Sequence, residues 1–372
     1  MNKTTKRFTV VIGVIMTVAM VGSLILPLLS GQVAQSDFGA ETPQPTRLPE
    51  PTFPPPPDIS AIDFDTTVLH PSGLFTLAAP TGWWSASNSN TSDELRAGLS
   101  NSDVNSVVEA RIIKNQTDIN GADELSAYFD RTWLGQSWRE YWSWDETGRK
   151  ITDAGHVVID FNLTRSRTFF IARQESWLQD GDIYSVRVVT AENAPRELKY
   201  LLDGVATSVR RIDAFADAPF DWNAYFDNLD KHIVRFPAHW QLTDAAQGLP
   251  ATIVGDSVTL VVETHDVALA SDADAVDWIE KWRDGLEALT VEAIDVGGAS
   301  GFRASYQIQT LDGATDSGLS IMLNGFDNRL HIANARIGDT DLDLLKEDPA
   351  DYPLIAVLDS FRLLPELEVA SA

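Results

Sequence analysis

The 372-residue chain contains no cysteine. That excludes disulfides, thiolate nucleophiles, cysteine zinc sites, cysteine-ligated iron–sulfur clusters and a lipidated cysteine anchor. Basic residues are scarce: 28 Lys and Arg stand against 54 Asp and Glu, a formal net charge of −26. Nucleic-acid affinity and docking on anionic lipid both need clustered cations, so neither is expected. The signatures of common chemistries are missing as well. There is no His-Glu-x-x-His, no Walker loop, no dinucleotide-binding glycine fingerprint and no Gly-x-Ser-x-Gly. The nearest approach to the last, Gly298-Ala299-Ser300-Gly301, lacks the final spacing and reads as a turn ahead of a strand. Only six histidines occur: His70, His156, His232, His239, His265 and His331. His232 and His239 are near neighbours, but six intervening residues is no recognisable metal-ligand spacing. Each histidine is expected at a surface or a strand end. No cofactor and no catalytic or metal-ligating residue is expected.

What is present describes a folded, exported chain. Hydrophobic residues make up 44% and charged residues 22%, the balance of ordinary globular cores. At roughly 150 residues per domain the length suits about two domains. Residues 1–7 form a basic tip with Lys3, Lys6 and Arg7, and residues 8–29 carry no charge at all. At ~1.5 Å per residue that run crosses a hydrocarbon core of ~30 Å. The positive-inside rule then places the N-terminus in the cytoplasm and everything else outside, a single-pass cell-membrane topology. A cleaved signal peptide is the competing reading. Its apolar region would be shorter, and Gln32-Val33-Ala34 has glutamine where a small residue is wanted. Residues 30–65 include Pro43, Pro45, Pro49, Pro51 and Pro54 to Pro57. Proline has no amide donor and a fixed φ, so this stretch is expected to be a polyproline-type spacer.

The remainder reads as one unit written twice. Leu77-Ala-Ala-Pro80-Thr-Gly-Trp83 recurs as Val234-Arg-Phe-Pro237-Ala-His-Trp240, each a strand followed by Pro-x-x-Trp. A β-branched strand from Ser106 matches one from Ser257. A helix follows in each: Asp123, Leu125, Tyr128, Phe129 and Trp133 mark the first, Asp274, Val276, Ile279 and Trp282 the second. The apolar spacing is helical, and each Asp stands where a first-turn acid is favoured. Strands after Gly155 and Gly301 and hairpin turns at Asp180-Gly181-Asp182 and Asp327-Asn328 come next. Closing helices end in Ser208-Val209-Arg210 and Ser360-Phe361-Arg362. The expected class is α+β: two tandem α-β-α sandwich domains over 66–213 and 222–364, each with an antiparallel sheet flanked by helices. A short linker at 214–221 joins them, a tail of 365–372 follows, and a transmembrane helix precedes them.

These shared elements resemble the PsbP/Mog1-like fold, which is itself similar to DcrB-like and LpqN-like bacterial envelope proteins. The resemblance covers nearly all of residues 66–364. It implies an α-β-α sandwich used as a non-enzymatic, extracytoplasmic accessory or binding module. The photosystem role of PsbP proper does not follow, because a fold does not fix a function.

Three features are left over. Asp339-Thr-Asp341-Leu-Asp343 opens like a calcium loop, but its sixth position is Leu344 and its twelfth Ala350. Asp272-Ala-Asp274 and Asp180-Gly-Asp182 are similar fragments, explained as helix-start and turn residues. Acid is unevenly shared: residues 68–213 hold 20 acids and 15 bases, residues 214–364 hold 26 and 9. Aromatics are uneven too. Trp133, Trp138, Tyr141, Trp142 and Trp144 crowd into twelve residues of the first copy, while 284–296 in the second has none. Trp138 and Trp142, one helical turn apart, either line a core or form a partner or ligand surface. Asn90, Asn115 and Asn162 begin glycosylation-type triplets.

The function expected is a non-enzymatic, membrane-anchored extracytoplasmic module contacting an envelope protein or complex through that aromatic cluster. The alternative is a small-ligand or cation (Ca²⁺) binding protein. A hydrolase with a dispersed carboxylate site is a third reading.

Overall fold

The computed structural model describes residues 55–56, 58–255, 257–283, 285–346 and 353–369. Strands β1 (Thr66–Leu69), β2 (Phe75–Ala79), β3 (Trp84–Asn90), β4 (Glu94–Asn101) and β5 (Ser106–Lys114) come first. Helices α1 (Ala122–Tyr128) and α2 (Arg131–Ser137) follow. Then come β6 (Ser143–Ile151), β7 (Val157–Arg165), β8 (Thr168–Gln179), β9 (Asp182–Ala191), helix α3 (Pro195–Ala206) and β10 (Arg210–Arg211). The same order runs again through β11 (Trp222–Asp227), β12 (His232–Pro237), β13 (Gln241–Asp244), β14 (Ala251–Val254) and β15 (Val258–His265). It continues with α4 (Asp272–Trp282), β16 (Leu286–Val296), β17 (Ala299–Gln309), β18 (Thr315–Asn324), β19 (Leu330–Ile337), α5 (Leu354–Leu358) and β20 (Arg362–Leu363).

The architecture is α+β, and its sheets repeat. The seven-stranded sheets have the orders β3-β4-β5-β9-β8-β7-β6 and β13-β14-β15-β19-β18-β17-β16. The three-stranded sheets are β1-β2-β10 and β11-β12-β20. The pairings are antiparallel, with β-bulges in β3, β6, β13 and β16. One face of the first large sheet, with Leu95, Leu99, Val108, Ile112 and Val186, packs on β2 and on Leu198, Leu201 and Val205 of α3. The other face meets α1 and α2 through Leu125, Phe129, Leu134 and Trp138. The second large sheet is covered in the same way, by α5 and β12 on one face and by α4 on the other.

The recurring motifs have physical work to do. Trp83 N donates to Pro80 O and Trp240 N to Pro237 O, both at 3.0 Å, so Pro-x-x-Trp is one turn used twice. Ser208 Oγ donates to Val205 O and accepts from Ala78 N; Ser360 Oγ donates to Val357 O and accepts from Arg235 N. Each serine thus fastens the end of a closing helix to the middle strand of its small sheet.

The copies also pack on each other. Ile233 belongs to the first core, with Ala224 and Phe226 against it. Gly73, in the β1–β2 turn at φ +73°, would place a Cβ 2.6 Å from Ala224 Cβ. Ala224 N donates to Pro71 O at 2.7 Å, and Asn90 Nδ2 to Trp222 O at 3.0 Å. Arg235, fully buried, donates from Nε to Ser72 O at 2.6 Å and from Nη2 to Pro219 O. Residues 51–372 accordingly form one compact unit.

Several expectations are corrected. No helix among the described residues is long and apolar enough to cross a membrane. The longest helix, α3, has 12 residues, or about 18 Å at 1.5 Å per residue. The anchor expected over 8–29 and residues 30–54 of the expected spacer lie outside the described residues; the end of that spacer is a 3-10 turn at Ile59–Ala61, with Ile62 and Phe64 packed on the first core. The transmembrane helix, the single-pass location and the membrane as a partner are therefore withdrawn. The helix expected to run through Trp133 is two helices: Phe129 leaves helical geometry at ψ 61°, and the Asp130 carboxylate caps a new start at Trp133 N. Trp138 and Trp142 do not share a helix, since Trp138 is the C-cap of α2 and Trp142 leads into β6. Three histidines, His70, His232 and His331, are buried rather than exposed, and they stand at the strand ends expected: just after β1, first in β12 and second in β19.

Candidate functional site

A cavity of about 540 Å³ opens on the α1–α2 face of the first large sheet, where the helices stop short of β3, β4 and β5. Its floor follows from period-two alternation. Arg96 of β4 lies opposite Arg111 of β5, and Glu109 of β5 opposite Arg187 of β9. All four side chains therefore point to the same face. Helix α2 and the α2–β6 connection supply the wall: Trp133, Gln136 and Ser137 from the helix, Trp138, Arg139, Glu140 and Tyr141 from the connection.

Glu109 is 7% exposed and organises the floor. Its carboxylate takes Arg111 Nε at 2.5 Å and Arg187 Nε at 2.9 Å, with Arg96 Nε at 3.4 Å. Burial alone would raise its pKa. The charges of Arg187 and Arg111, and the Arg111 hydrogen bond, win and hold the carboxyl below its ordinary value. Arg111 also pairs with Glu94 at 3.2 Å, and Arg187 Nη1 donates to Ser137 Oγ at 2.6 Å. The Arg187 guanidinium lies 4.3 Å from the centre of a Trp138 ring, and that of Arg111 5.6 Å from Trp133. Burial raises the Tyr141 hydroxyl pKa, against the pull of Arg187 and Arg165 on either side.

Counted over the lining, five arginines face three glutamates: Arg96, Arg111, Arg139, Arg165 and Arg187 against Glu94, Glu109 and Glu140. Arg96 Nε is buried and, though ion-paired with Glu109 at 3.4 Å, makes no hydrogen bond; Trp138 Nε1 is buried with no acceptor among the described residues. A buried donor without an acceptor costs about 1–3 kcal/mol. The pocket thus has surplus positive charge and surplus donors, in a chain whose net charge is −26.

The second copy fills the equivalent face differently. The same face of β15 and β19 presents Thr259, Val261, Glu263, Asn334 and Arg336. Arg336 pairs with Asp316 at 3.3 Å. Asn334 Oδ1 accepts from Tyr306 and Ser320 at 2.6 and 2.7 Å, and the Arg283 guanidinium lies 5.9 Å from the Tyr306 ring.

The aromatic cluster is divided by the fold. Trp133, Trp138 and Tyr141 line the pocket; Trp142 and Trp144 do not. Trp138 is 1% exposed and packs edge-on to Phe161. Trp144 also meets Phe161, with the Arg131 guanidinium 5.4 Å from its ring. Trp142 is 71% exposed. The arginines and Glu109 escaped the sequence reading. The signal was there in Val107, Glu109, Arg111 and Ile113, where charge alternates into a strand that otherwise looks buried.

The remaining candidates resolve differently. His232 and His331 meet edge to face at 5.8 Å, whereas His239 is exposed beside Trp240. Burial brings the His232 pKa down to about 4. No group of three or more His, Asp or Glu side chains among the described residues is placed to hold a metal ion. Asp274 pairs with Ser271 at the start of α4, Asp182 with Arg211, and Asp343 with Lys346.

No protein-family model matches the chain, and no curated protein matches it. Among solved structures, cyanobacterial PsbP from Synechocystis sp. PCC 6803 is 16% identical, over 39% of this chain and 93% of its own, at a TM-score of 0.29. The Ran-binding protein Mog1p of Saccharomyces cerevisiae is 9% identical, over 41% and 99%, at 0.32. The type VI secretion immunity protein TplEi of Pseudomonas aeruginosa is 13% identical, over 83% and 100%, at 0.22. At such scores the likenesses assign no function. The reading as tandem PsbP/Mog1-like domains of a membrane-anchored envelope protein is corrected to an α+β sandwich architecture, and the envelope partner is withdrawn with it.

Proposed function

We propose that this protein is a non-catalytic binding module. Its ligand site is the arginine- and tryptophan-lined pocket of the first copy, and its ligand is an anion bearing carboxylate or phosphoryl oxygens. The observation that carries this reading is the excess of five arginines over three glutamates along the lining, beside a Trp138 Nε1 buried without an acceptor among the described residues. Guanidinium groups recognise such oxyanions with short, charge-assisted hydrogen bonds. Catalysis is left out because the most buried carboxylate of the pocket lining, Glu109, is held ionised by three arginines and is a poor proton carrier. Residues 66–213 form the ligand-bearing domain in this reading. Residues 222–364 form a second domain that braces it across the Gly73–Ala224 contact.

The test is a titration of the full chain with inorganic phosphate and with citrate, read by tryptophan fluorescence and by melting temperature. Saturable binding to at least one of the two, weakened tenfold or more in Arg96→Gln, is expected. Absence of saturation with both, or titrations identical in wild type and Arg96→Gln, would overturn the assignment.

A further inference from the structure

The pocket's arginines fall into two groups, and the division bears on what kind of anion fits. At the inner end Arg96, Arg111 and Arg187 gather around Glu109. They are partly committed. Arg187 gives Nε and Nη2 to Glu109 and Nη1 to Ser137; Arg111 gives Nε to Glu109 and Nη1 to Glu94. At the outer end stand Arg139, just past α2, and Arg165, the last residue of β7. Both are exposed, and neither makes an ion pair among the described residues. Tyr141 packs edge-on to Trp138 at 5.6 Å, Trp138 carries the Arg187 guanidinium, and Trp142 N, next to Tyr141, donates to Thr164 O, next to Arg165. Trp133, Trp138 and Tyr141 all line the cavity.

Resting on the anion-binding reading, we infer that the ligand is a small organic dianion with an acidic group at each end of a flat or apolar body. One group meets the inner arginines, the body lies along Trp133, Trp138 and Tyr141, and the second group meets Arg139 and Arg165. A cavity of about 540 Å³ suits such a molecule, within the ~300–1,000 Å³ range of small-molecule sites. A compact inorganic anion would leave the aromatic wall uncovered and the outer forks unused. A long polyanion would meet the repulsion of a chain at −26 beyond the rim.

The experiment compares three probes on the full chain by calorimetry: benzoate, terephthalate and biphenyl-4,4′-dicarboxylate, with inorganic phosphate as reference. At least one dicarboxylate is expected to bind tenfold or more tighter than benzoate. The double variant Arg139→Gln/Arg165→Gln, whose side chains are exposed, is expected to weaken that dicarboxylate tenfold or more and benzoate less than threefold, bringing the two affinities together. Arg96→Gln is expected to weaken both. Equal affinities for benzoate and both dicarboxylates, or a preference that survives the double variant, would overturn the two-ended ligand while phosphate or benzoate binding kept the anion site standing. No binding of any probe, phosphate included, would remove both. A circular dichroism melt of each variant separates lost binding from lost fold.

Discussion

Glu109 shows how one residue can hold a site without being the part that binds. Its carboxylate is the only anion on the pocket floor bonded to both Arg111 and Arg187, and it lies beside Arg96. Glu109→Gln keeps the shape and removes the charge, leaving three guanidinium groups crowded in a half-dry pocket. Breaking a buried ion pair from one side costs about 3–5 kcal/mol, and loss of that order is expected in urea unfolding. Phosphate should restore part of the stability, because an added anion replaces the missing countercharge. The buried histidines yield a second prediction. Burial lowers His70 and His232 from 6.5 to about 4. Both are therefore neutral when folded, and between pH 6.5 and about 4 the unfolded chain binds more protons. Their contribution to stability is present above pH 6.5 and is lost as pH falls toward about 4. Thermal melts from pH 7.5 to 4.5 should show a steady fall, and His70→Gln should flatten it. A fall of equal slope in wild type and His70→Gln would show that carboxylates, not this imidazole, set the acid limit.

At the scale of elements, the junction between the copies is the place where local chemistry decides architecture. Gly73 sits at positive φ against Ala224, so a side chain there is strained twice, by its own backbone and by its neighbour. Gly73→Ala is expected to cost about 2 kcal/mol or more, and Arg235→Met to unfold the junction in part, because Ser72 O and Pro219 O lose their donor. Limited proteolysis near 214–221 should accelerate in both variants; unchanged cleavage would show that the junction is held elsewhere. None of this was legible in the sequence, where Gly73 is one glycine of 23 and Arg235 one residue of a strand. The recurring elements were legible because their causes are local. Pro-x-x-Trp closes a turn on itself, and Ser208 and Ser360 cap the helix they follow. Strands β3, β13 and β16 were missed. Each is an edge strand, paired only with the next strand in the chain, and β3 and β13 carry Ser, Asn, Gln, Thr and Asp where a buried strand would be apolar. The break at Asp130 was missed because apolar spacing survives a helix restart three residues long.

For the whole molecule the governing quantity is charge, and it acts in opposite senses on fold and site. A net charge of −26 repels itself in the folded state, and salt screens that repulsion with a Debye length of about 8 Å at 0.15 M. Melting temperature is therefore expected to rise with sodium chloride. Attraction of an anion to the arginine pocket is screened by the same ions, so affinity for a dicarboxylate should fall as stability climbs. The two trends separate the global field from the local one. Phosphate should stabilise the wild type more than chloride at equal ionic strength. Part of that excess is the general exclusion of phosphate from protein surfaces, which every variant shares. The remainder belongs to the pocket and should vanish in Arg96→Gln, whose net charge differs from the wild type by a single unit. Equal excess stabilisation in the two proteins would mean that phosphate acts through the molecule's surface as a whole and that Arg96, Arg111 and Arg187 serve only to hold Glu109 and Glu94.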